Sequence, residues 1–498
     1  MKQERIPWIL AGLTLAFHLA FNSRYGFFRD ELYFIICGRH PQFGYVDQPP
    51  LVPLLAATSQ SFGISLFALR SVAALFAAAA VFVTCRLVIE LHGKSYAQVV
   101  AATGVALAPI LATFGVLVYP DMVQVWAWPL MTLYLVRLLG GASPRWWLAV
   151  GALLGLALQS KYVAVFFAAA IVFGLALTES RRILGTRWLL GGALVAAIIA
   201  FPNFLWQAQH GFPMAELLRN SQQGKNVVLD PASYLLQQLI ITNPVLSIIW
   251  LSGLSWTFVR PNLRWLGIGS IALLTLMIVL HGKDYYGCAI YPALFAAGGV
   301  AIEAATKRAA FMRPLTIAVA ICAGAVLVPL AVPTLSEEHF LAYIKTLQIV
   351  APRPSEHHRQ SVLPQTYADM HGWPELAATV ARVYATLPPD ERRVVIIKAS
   401  NYGEASALNF FGPKYGLPTT ISSHNQYFLW GPPSTGGDVL IDVNGDCGAS
   451  LQVYRRAVRA AVFSARYVMP YEDHLPIMVC RGVNRRIEDL WPRLKDYN

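Results

Sequence analysis

Three carboxylates lie close together near the start of the chain: Asp30 and Glu31 in Arg29-Asp30-Glu31-Leu32-Tyr33, and Asp47 in Asp47-Gln48-Pro49-Pro50-Leu51. Their sequence neighbours Tyr25, Phe27, Phe28, Tyr33, Phe34, Phe43 and Tyr45 are aromatic. A partly dehydrated setting of this kind shifts carboxylate pKa values and makes proton transfer useful. Asp121, in Tyr119-Pro120-Asp121, is a fourth acid beside an apolar run. Any one of these acids is open to a plain account as an ordinary solvated span end; four of them at one end of a bundle favour a functional cluster. The chemistry that fits is a general base, with partners that orient it or hold a divalent cation such as Mg, Mn, Ca or Zn.

Cations accompany the acids. Lys161 stands between two apolar runs in Ser160-Lys161-Tyr162, and Lys283 opens Lys283-Asp284-Tyr285-Tyr286. Lysines there either snorkel to headgroups or serve as point charges for a phosphate, with Arg29 and the tyrosine hydroxyls as further donors. Pro202-Asn203-Phe204-Leu205-Trp206-Gln207 ends another run with amide and indole donors that suit a sugar or an interfacial aromatic belt.

These residues need elements to position them. The chain has 498 residues, 56% hydrophobic and 13% charged, against roughly 25% charged in a soluble domain. The composition is that of a membrane protein, and the charges concentrate after about residue 335, which predicts an integral part followed by a water-soluble domain. A span needs about 20 apolar residues. Spans are expected near 7–22, 66–91, 97–118, 122–139, 146–159, 162–178, 187–206, 238–258, 264–280, 287–305 and 314–333, about eleven in all. The first has no small-residue cleavage site behind it and reads as an uncleaved span.

The net charge of +12 forms no stripe of the kind that binds nucleic acid. With a cytoplasmic N-terminus, Lys94, Arg145, Arg181, Arg182, Arg187, Arg260, Arg264, Lys307, Arg308 and Arg313 fall in inner loops, and only Lys161 and Lys283 in short outer turns. That orientation places the loop 23–65, Asp121, Lys161, the segment 207–237 and Lys283-Tyr286 on one outer face, with everything after about residue 334 in the periplasm. Short helices are expected over 49–62 and 231–237.

Residues 1–333 thus read as a membrane module and 334–498 as a small α/β domain, joined by a linker at Pro352, Pro354 and Pro364. Helices are expected over 374–387 and 404–411, and strands at Val394-Ile397, Val439-Val443 and Ile477-Cys480. Asn401-Tyr402-Gly403-Glu404 reads as a plain helix start in preference to a ligand-binding turn, and His424-Trp430 as a surface or lid segment. His357-His358 lacks further metal ligands. Cys85, Cys288 and Cys322 fall in apolar runs as small buried hydrophobes; Cys447 and Cys480 lie in the tail, where an oxidising compartment would let them pair.

Taken as a set, Arg-Asp-Glu-Leu-Tyr, Tyr-Val-Asp-Gln-Pro-Pro-Leu, Tyr-Pro-Asp, Ser-Lys-Tyr, Pro-Asn-Phe-Leu-Trp-Gln and Lys-Asp-Tyr-Tyr resemble the bacterial family 39 glycosyltransferases of the GT-C superfamily. Relatives there include protein O-mannosyltransferases, lipid A aminoarabinose transferases and lipopolysaccharide galacturonic acid transferases. The resemblance implies an inverting transfer, outside the membrane, of a sugar from a polyprenyl-phosphate donor to a glycolipid, polysaccharide or protein acceptor. It implies Asp30 as the base, with Glu31 beside it, and Asp47 and Asp121 as acids that shape the site or hold a cation. Arg29, Lys161, Lys283, Tyr285 and Tyr286 are the expected phosphate contacts, and Tyr33, Gln48, Asn203 and Gln207 the expected substrate contacts. Gln48 departs from the lysine that aminoarabinose transferases carry before the proline pair.

Two other classes compete. A transporter or flippase of lipid-linked sugars would need polar groups deep in the spans, whereas here they gather at one end. A membrane-anchored sensor would work through its α/β tail alone.

Overall fold

The structure, a computed structural model, describes residues 2–225, 227–348, 359–433 and 437–498. The expected linker prolines 352 and 354 and the pair His357-His358 lie outside them.

The membrane module runs α1 Lys2–Phe21, α2 Arg29–Arg39, α3 Leu51–Ser59, α4 Leu66–Glu90, α5 Ser95–Leu107, α6 Pro109–Thr113, α7 Pro120–Leu139, α8 Trp146–Leu158 and α9 Val163–Ala176. It continues with α10 Arg187–Gln209, α11 Pro213–Asn220, α12 Pro231–Ile241, α13 Pro244–Val259, α14 Arg264–Val279, α15 Tyr291–Ala305 and α16 Arg313–Leu327. Every run expected to span is helical. Length and composition qualify six stretches among the described residues as membrane-crossing, or seven if α12 and α13 are one bent span; α5, α8 and α9 are shorter apolar helices.

Two expected spans are broken, each at a proline. The run 97–118 divides at Ala108, whose extended backbone precedes Pro109 at the first position of α6; a residue before proline is driven out of the helical region. The run 238–258 turns by 108° between α12 and α13. There Asn243 has φ of 71° and its side chain caps Val245 and Leu246, with Pro244 behind it.

Between helices, glycines permit close backbone approach. A Cβ on Gly151 of α8 would lie 2.0 Å from the Gly192 carbonyl of α10, and one on Gly253 of α13 would lie 2.0 Å from the Leu294 carbonyl of α15. Cys85 and Cys288 are buried as expected, but Cys322 is exposed, because α16 packs at the outside of the bundle with most of its residues uncovered.

After α17 Glu337–Thr346 and α18 Gln365–Ala368, the remaining helices α19 Trp373–Thr386, α20 Pro389–Val394, α21 Tyr402–Phe411, α22 Gln426–Trp430 and α23 Ile487–Leu490 accompany one sheet. Its strands are β1 Ile396–Ala399, β2 Thr420–Ile421, β3 Val439–Val443, β4 Tyr454–Phe463 and β5 Leu475–Val483, in the order β2-β1-β3-β5-β4. β1 is parallel to β2 and β3, with Ile397 opposite Thr420 and Ile441, while β5 pairs antiparallel with β3 and β4. The sequence reading finds β1, β3 and β5 from their apolar runs. It misses β4, an edge strand whose Arg455, Arg456 and Arg459 are exposed and leave no alternation to read. The core is continuous from bundle to sheet: Phe27 of the outer loop meets Phe410 of α21 with ring centroids 5.0 Å apart.

Candidate active site

The N-terminus of α2 places two neighbouring acids in different surroundings. Glu31 reaches back to accept from the Phe28 amide at 2.9 Å, half of a capping box. It also takes Arg70 of α4, with Nε 3.0 Å from Oε1 and a terminal nitrogen 3.0 Å from Oε2, and the Val118 amide at 3.2 Å. Arg70 completes its donors on the carbonyls of Asn22, Arg24 and Gly26. Glu31 therefore holds the loop to the bundle, fully enclosed, and does not line the cavity onto which Asp30 opens.

Asp30, one residue earlier, faces open space. Its Oδ1 accepts from the Tyr402 hydroxyl at 2.8 Å and lies 3.6 Å from Arg29 Nε. Its Oδ2 takes no hydrogen bond from the described residues. Asp47 accepts from the Tyr33 hydroxyl at 3.0 Å and from Asn425 Nδ2 at 3.4 Å. Arg29 donates to the Tyr471 hydroxyl at 3.0 Å, lies 4.0 Å from Asp369 and sits over the rings of Tyr402 and Tyr471. Burial works against the Arg29 charge, but Tyr402, Asp369, Tyr471 and Asp30 outweigh it and hold the guanidinium well above its ordinary value. Burial pushes the Asp369 carboxyl up, with Arg29 opposing.

Asp30 and Asp47 open onto a cavity of about 630 Å³. Arg29, Lys283, Asp284, Tyr285, Tyr286, Tyr402 and Asn425 complete its polar end. Pro109, Ile110, Phe114 and Leu117 line an apolar side with Ile240, Ile241 and Pro244. The breaks at Pro109 and Pro244 thus form cavity wall. The segment Gln360–Thr366 closes a further side.

Other expected site residues stand outside the cavity lining. Lys161 Nζ is 2.7 Å from Asp121 Oδ2 and lies 4.2 Å from the Tyr286 ring centroid and 5.0 Å from that of Tyr285, so it backs the tyrosine wall. Asn203 bonds the Tyr162 hydroxyl and the Phe43 carbonyl, and Gln207 the Tyr45 carbonyl; both pin the loop to α10. Gln48 is buried with neither amide atom hydrogen-bonded to the described residues, while Tyr33 supports Asp47 and also accepts from the Gln426 backbone amide at 3.2 Å. For a divalent cation the fit is poor: Asp121 is taken by Lys161, and no group of three or more His, Cys, Asp or Glu among the described residues is arranged to hold one. No step is therefore assigned to a metal.

Residues 47–206 match the family model described as dolichyl-phosphate-mannose-protein mannosyltransferase. Two crystal structures of ArnT from Cupriavidus metallidurans, one bound to undecaprenyl phosphate and one in the apo state, superpose with TM-scores of 0.62 over 95% of this chain and 97% of theirs, at 16% and 15% identity. The fold is that of the GT-C glycosyltransferases. The family model matches under half of the chain, and that match and the shared fold both agree with the resemblance read from the motifs. A further GT-C structure, the arabinofuranosyltransferase AftD from Mycobacteria, matches with a TM-score of 0.52 at 13% identity, covering 97% of this chain and 42% of that one. No curated protein matches by comparison of sequences.

Within this GT-C fold, sequence reasoning overlooks the contribution of the α/β domain. His424-Trp430 is not a surface lid: Asn425, Gln426 and Tyr427 are buried against the outer loop, and Gln426 Oε1 accepts from the Val46 amide at 3.0 Å. Asn401-Tyr402 is more than a helix start, since Tyr402 grips Asp30. Its place directly after a parallel strand is the available signal, because α/β sheets bind ligands at that edge. The signal for Arg70 is a lone charge inside an apolar run.

Proposed function

We propose that the protein is a membrane glycosyltransferase that moves a sugar from a polyprenyl-phosphate donor to an acceptor hydroxyl, with inversion. The observation that carries this reading is the cavity itself: an open carboxylate oxygen on Asp30 shares one space with Lys283 and with apolar walls suited to an isoprenoid. The undecaprenyl phosphate in one matched ArnT structure supports the same donor class.

The acceptor oxygen attacks the anomeric carbon while Asp30 Oδ2 takes its proton. The bond from that carbon to the phosphate oxygen breaks, and the leaving polyprenyl phosphate carries its charge toward Lys283 and the Tyr285 and Tyr286 hydroxyls. Asp47 lies near enough to shape the sugar site. The acceptor is a glycolipid, polysaccharide or protein hydroxyl on the outer side of a bacterial inner membrane. The distribution of basic residues in the loops supports that orientation. So does the disulfide between Cys447 and Cys480, which fits an oxidising periplasm.

Purified protein incubated with candidate polyprenyl-phosphate sugars and envelope acceptors, with and without chelator, tests the reading. Asp30→Asn should abolish transfer while donor binding persists; full activity in that variant removes Asp30 from the mechanism. Movement of lipid-linked sugar across vesicles without any glycosylated product would favour a flippase instead.

A further inference from the structure

The carboxyl edge of the parallel strands in the α/β domain is turned onto the acids of the outer loop. Tyr402 follows β1 directly, and Asn425 follows β2. Their side chains reach Asp30 Oδ1 at 2.8 Å and Asp47 Oδ2 at 3.4 Å. Both residues line the cavity together with the acids they touch. An edge that in open α/β sheets receives a ligand here receives the side chains at the centre of the proposed chemistry.

The tyrosine is firmly held. The Asn401 side chain caps α21 by accepting from the Glu404 amide at 3.0 Å, which fixes Tyr402 in the first turn. The Tyr402 ring packs 4.6 Å from that of Tyr33, 5.1 Å from that of His424, and under the Arg29 guanidinium. Gly403 lets Arg29 approach: a Cβ there would lie 2.6 Å from the arginine Cγ. Burial keeps the phenol protonated far above the ordinary tyrosine range, so its hydroxyl is a permanent donor toward Asp30.

We infer that Tyr402 is the positioning residue of the base, supplied by the α/β domain: its hydroxyl fixes Asp30 Oδ1 and leaves Oδ2 directed at the acceptor hydroxyl. The inference rests on the reading of Asp30 as the base. Other groups bearing on Asp30 are Arg29 on its own helix, Tyr119 ahead of α7 and, beyond Arg29, Asp369, and none of them is altered by removing one phenolic oxygen.

Tyr402→Phe keeps the ring and its packing and removes the donor. In the full-length protein in detergent or nanodiscs, with a polyprenyl-phosphate sugar as donor, kcat should fall about tenfold or more with donor KM unchanged, as for the loss of a hydrogen bond to a charged group. Undecaprenyl phosphate binding and the unfolding temperature of Tyr402→Phe report whether it is folded. Should the variant unfold, Tyr402→His, a smaller ring that keeps an N–H donor, should recover folding and part of the rate. A folded Tyr402→Phe with wild-type kcat, or one whose loss lies in donor KM alone, overturns the inference while leaving Asp30 as base. An active Asp30→Asn instead overturns the reading beneath it.

Discussion

Arg70 and Glu31 face each other with both side chains sealed from solvent, joined through two nitrogens and both carboxylate oxygens. The pair ties α4 to the start of α2 and so sets the direction in which Asp30 points. Removing one partner from a buried pair leaves the other charge uncompensated, which costs about 3–5 kcal/mol. Arg70→Ala should therefore reduce the yield of folded protein and lower its unfolding temperature sharply. Glu31→Gln leaves Arg70 uncompensated and should also be destabilised, but should retain transfer per folded molecule. If Glu31→Gln folds normally yet loses turnover as completely as Asp30→Asn, the division of labour between the two acids is wrong.

Lys283 and Lys161 should separate in the same kind of comparison. Lys283 lines the cavity, whereas Lys161 is held at 2.7 Å by Asp121 behind the tyrosine wall. Lys283→Met should weaken undecaprenyl phosphate binding about tenfold or more, the scale of one lost charge-assisted hydrogen bond. Lys161→Met strands the Asp121 carboxylate and should appear first as lost thermal stability. Pairing it with Asp121→Asn should restore much of that stability. Equal losses of affinity for both lysines, with unchanged unfolding temperatures, would place Lys161 on the phosphate.

The sequence makes the helical runs, the acids and the cation-bearing turns legible because each is local: an apolar run or a charge at its end is visible without knowing what it meets. What stays hidden is contact over long separations. Nothing near Tyr402 announces Asp30, 372 residues away, and Asn203 and Gln207 read as sugar donors until Phe43 and Tyr45 are seen to occupy them. The two broken spans are a different case. Pro109 and Pro244 stand in plain view, but hydropathy averages across them, and only capping at Asn243 and the extended Ala108 show where the chain turns.

The disulfide between Cys447, in the turn after β3, and Cys480, on β5, closes a stretch of 33 residues. Chain-entropy reasoning gives such a loop a stabilisation of about 3–4 kcal/mol. Replacing both cysteines with serine should loosen the α/β domain and, because Tyr402 and Asn425 reach the acids from that domain, reduce transfer more steeply with temperature than in the wild type. Thiol counting with and without reductant gives the first check, and activity measured from 20 to 45 °C the second. Two thiols reactive in the unreduced native protein at these positions would contradict the pairing.

Glu404 and Glu472 share a single amide: Asn401 Nδ2 donates to Glu404 Oε1 at 3.0 Å and to Glu472 Oε1 at 3.1 Å. Ser400 and Asn444 also serve Glu404, while Glu472 Oε2 has no partner among the described residues. Burial pushes both carboxyls up, and the nearby Glu404 drives Glu472 further, with Arg29 opposing. A carboxyl raised in the folded state binds more protons folded than unfolded between its two pKa values. Its contribution is therefore complete below the unfolded value of about 4.3 and is lost as the pH climbs through the folded one. Glu472→Gln presents a neutral group of the same shape at every pH. Below about pH 4 the variant and the wild type should unfold at similar temperatures; as the pH rises toward 8 the variant should pull ahead, with its unfolding temperature falling less steeply. A gap that stays constant across this range, or a wild type that remains the more stable at pH 8, would mean that the Glu472 carboxyl is not raised in the folded protein.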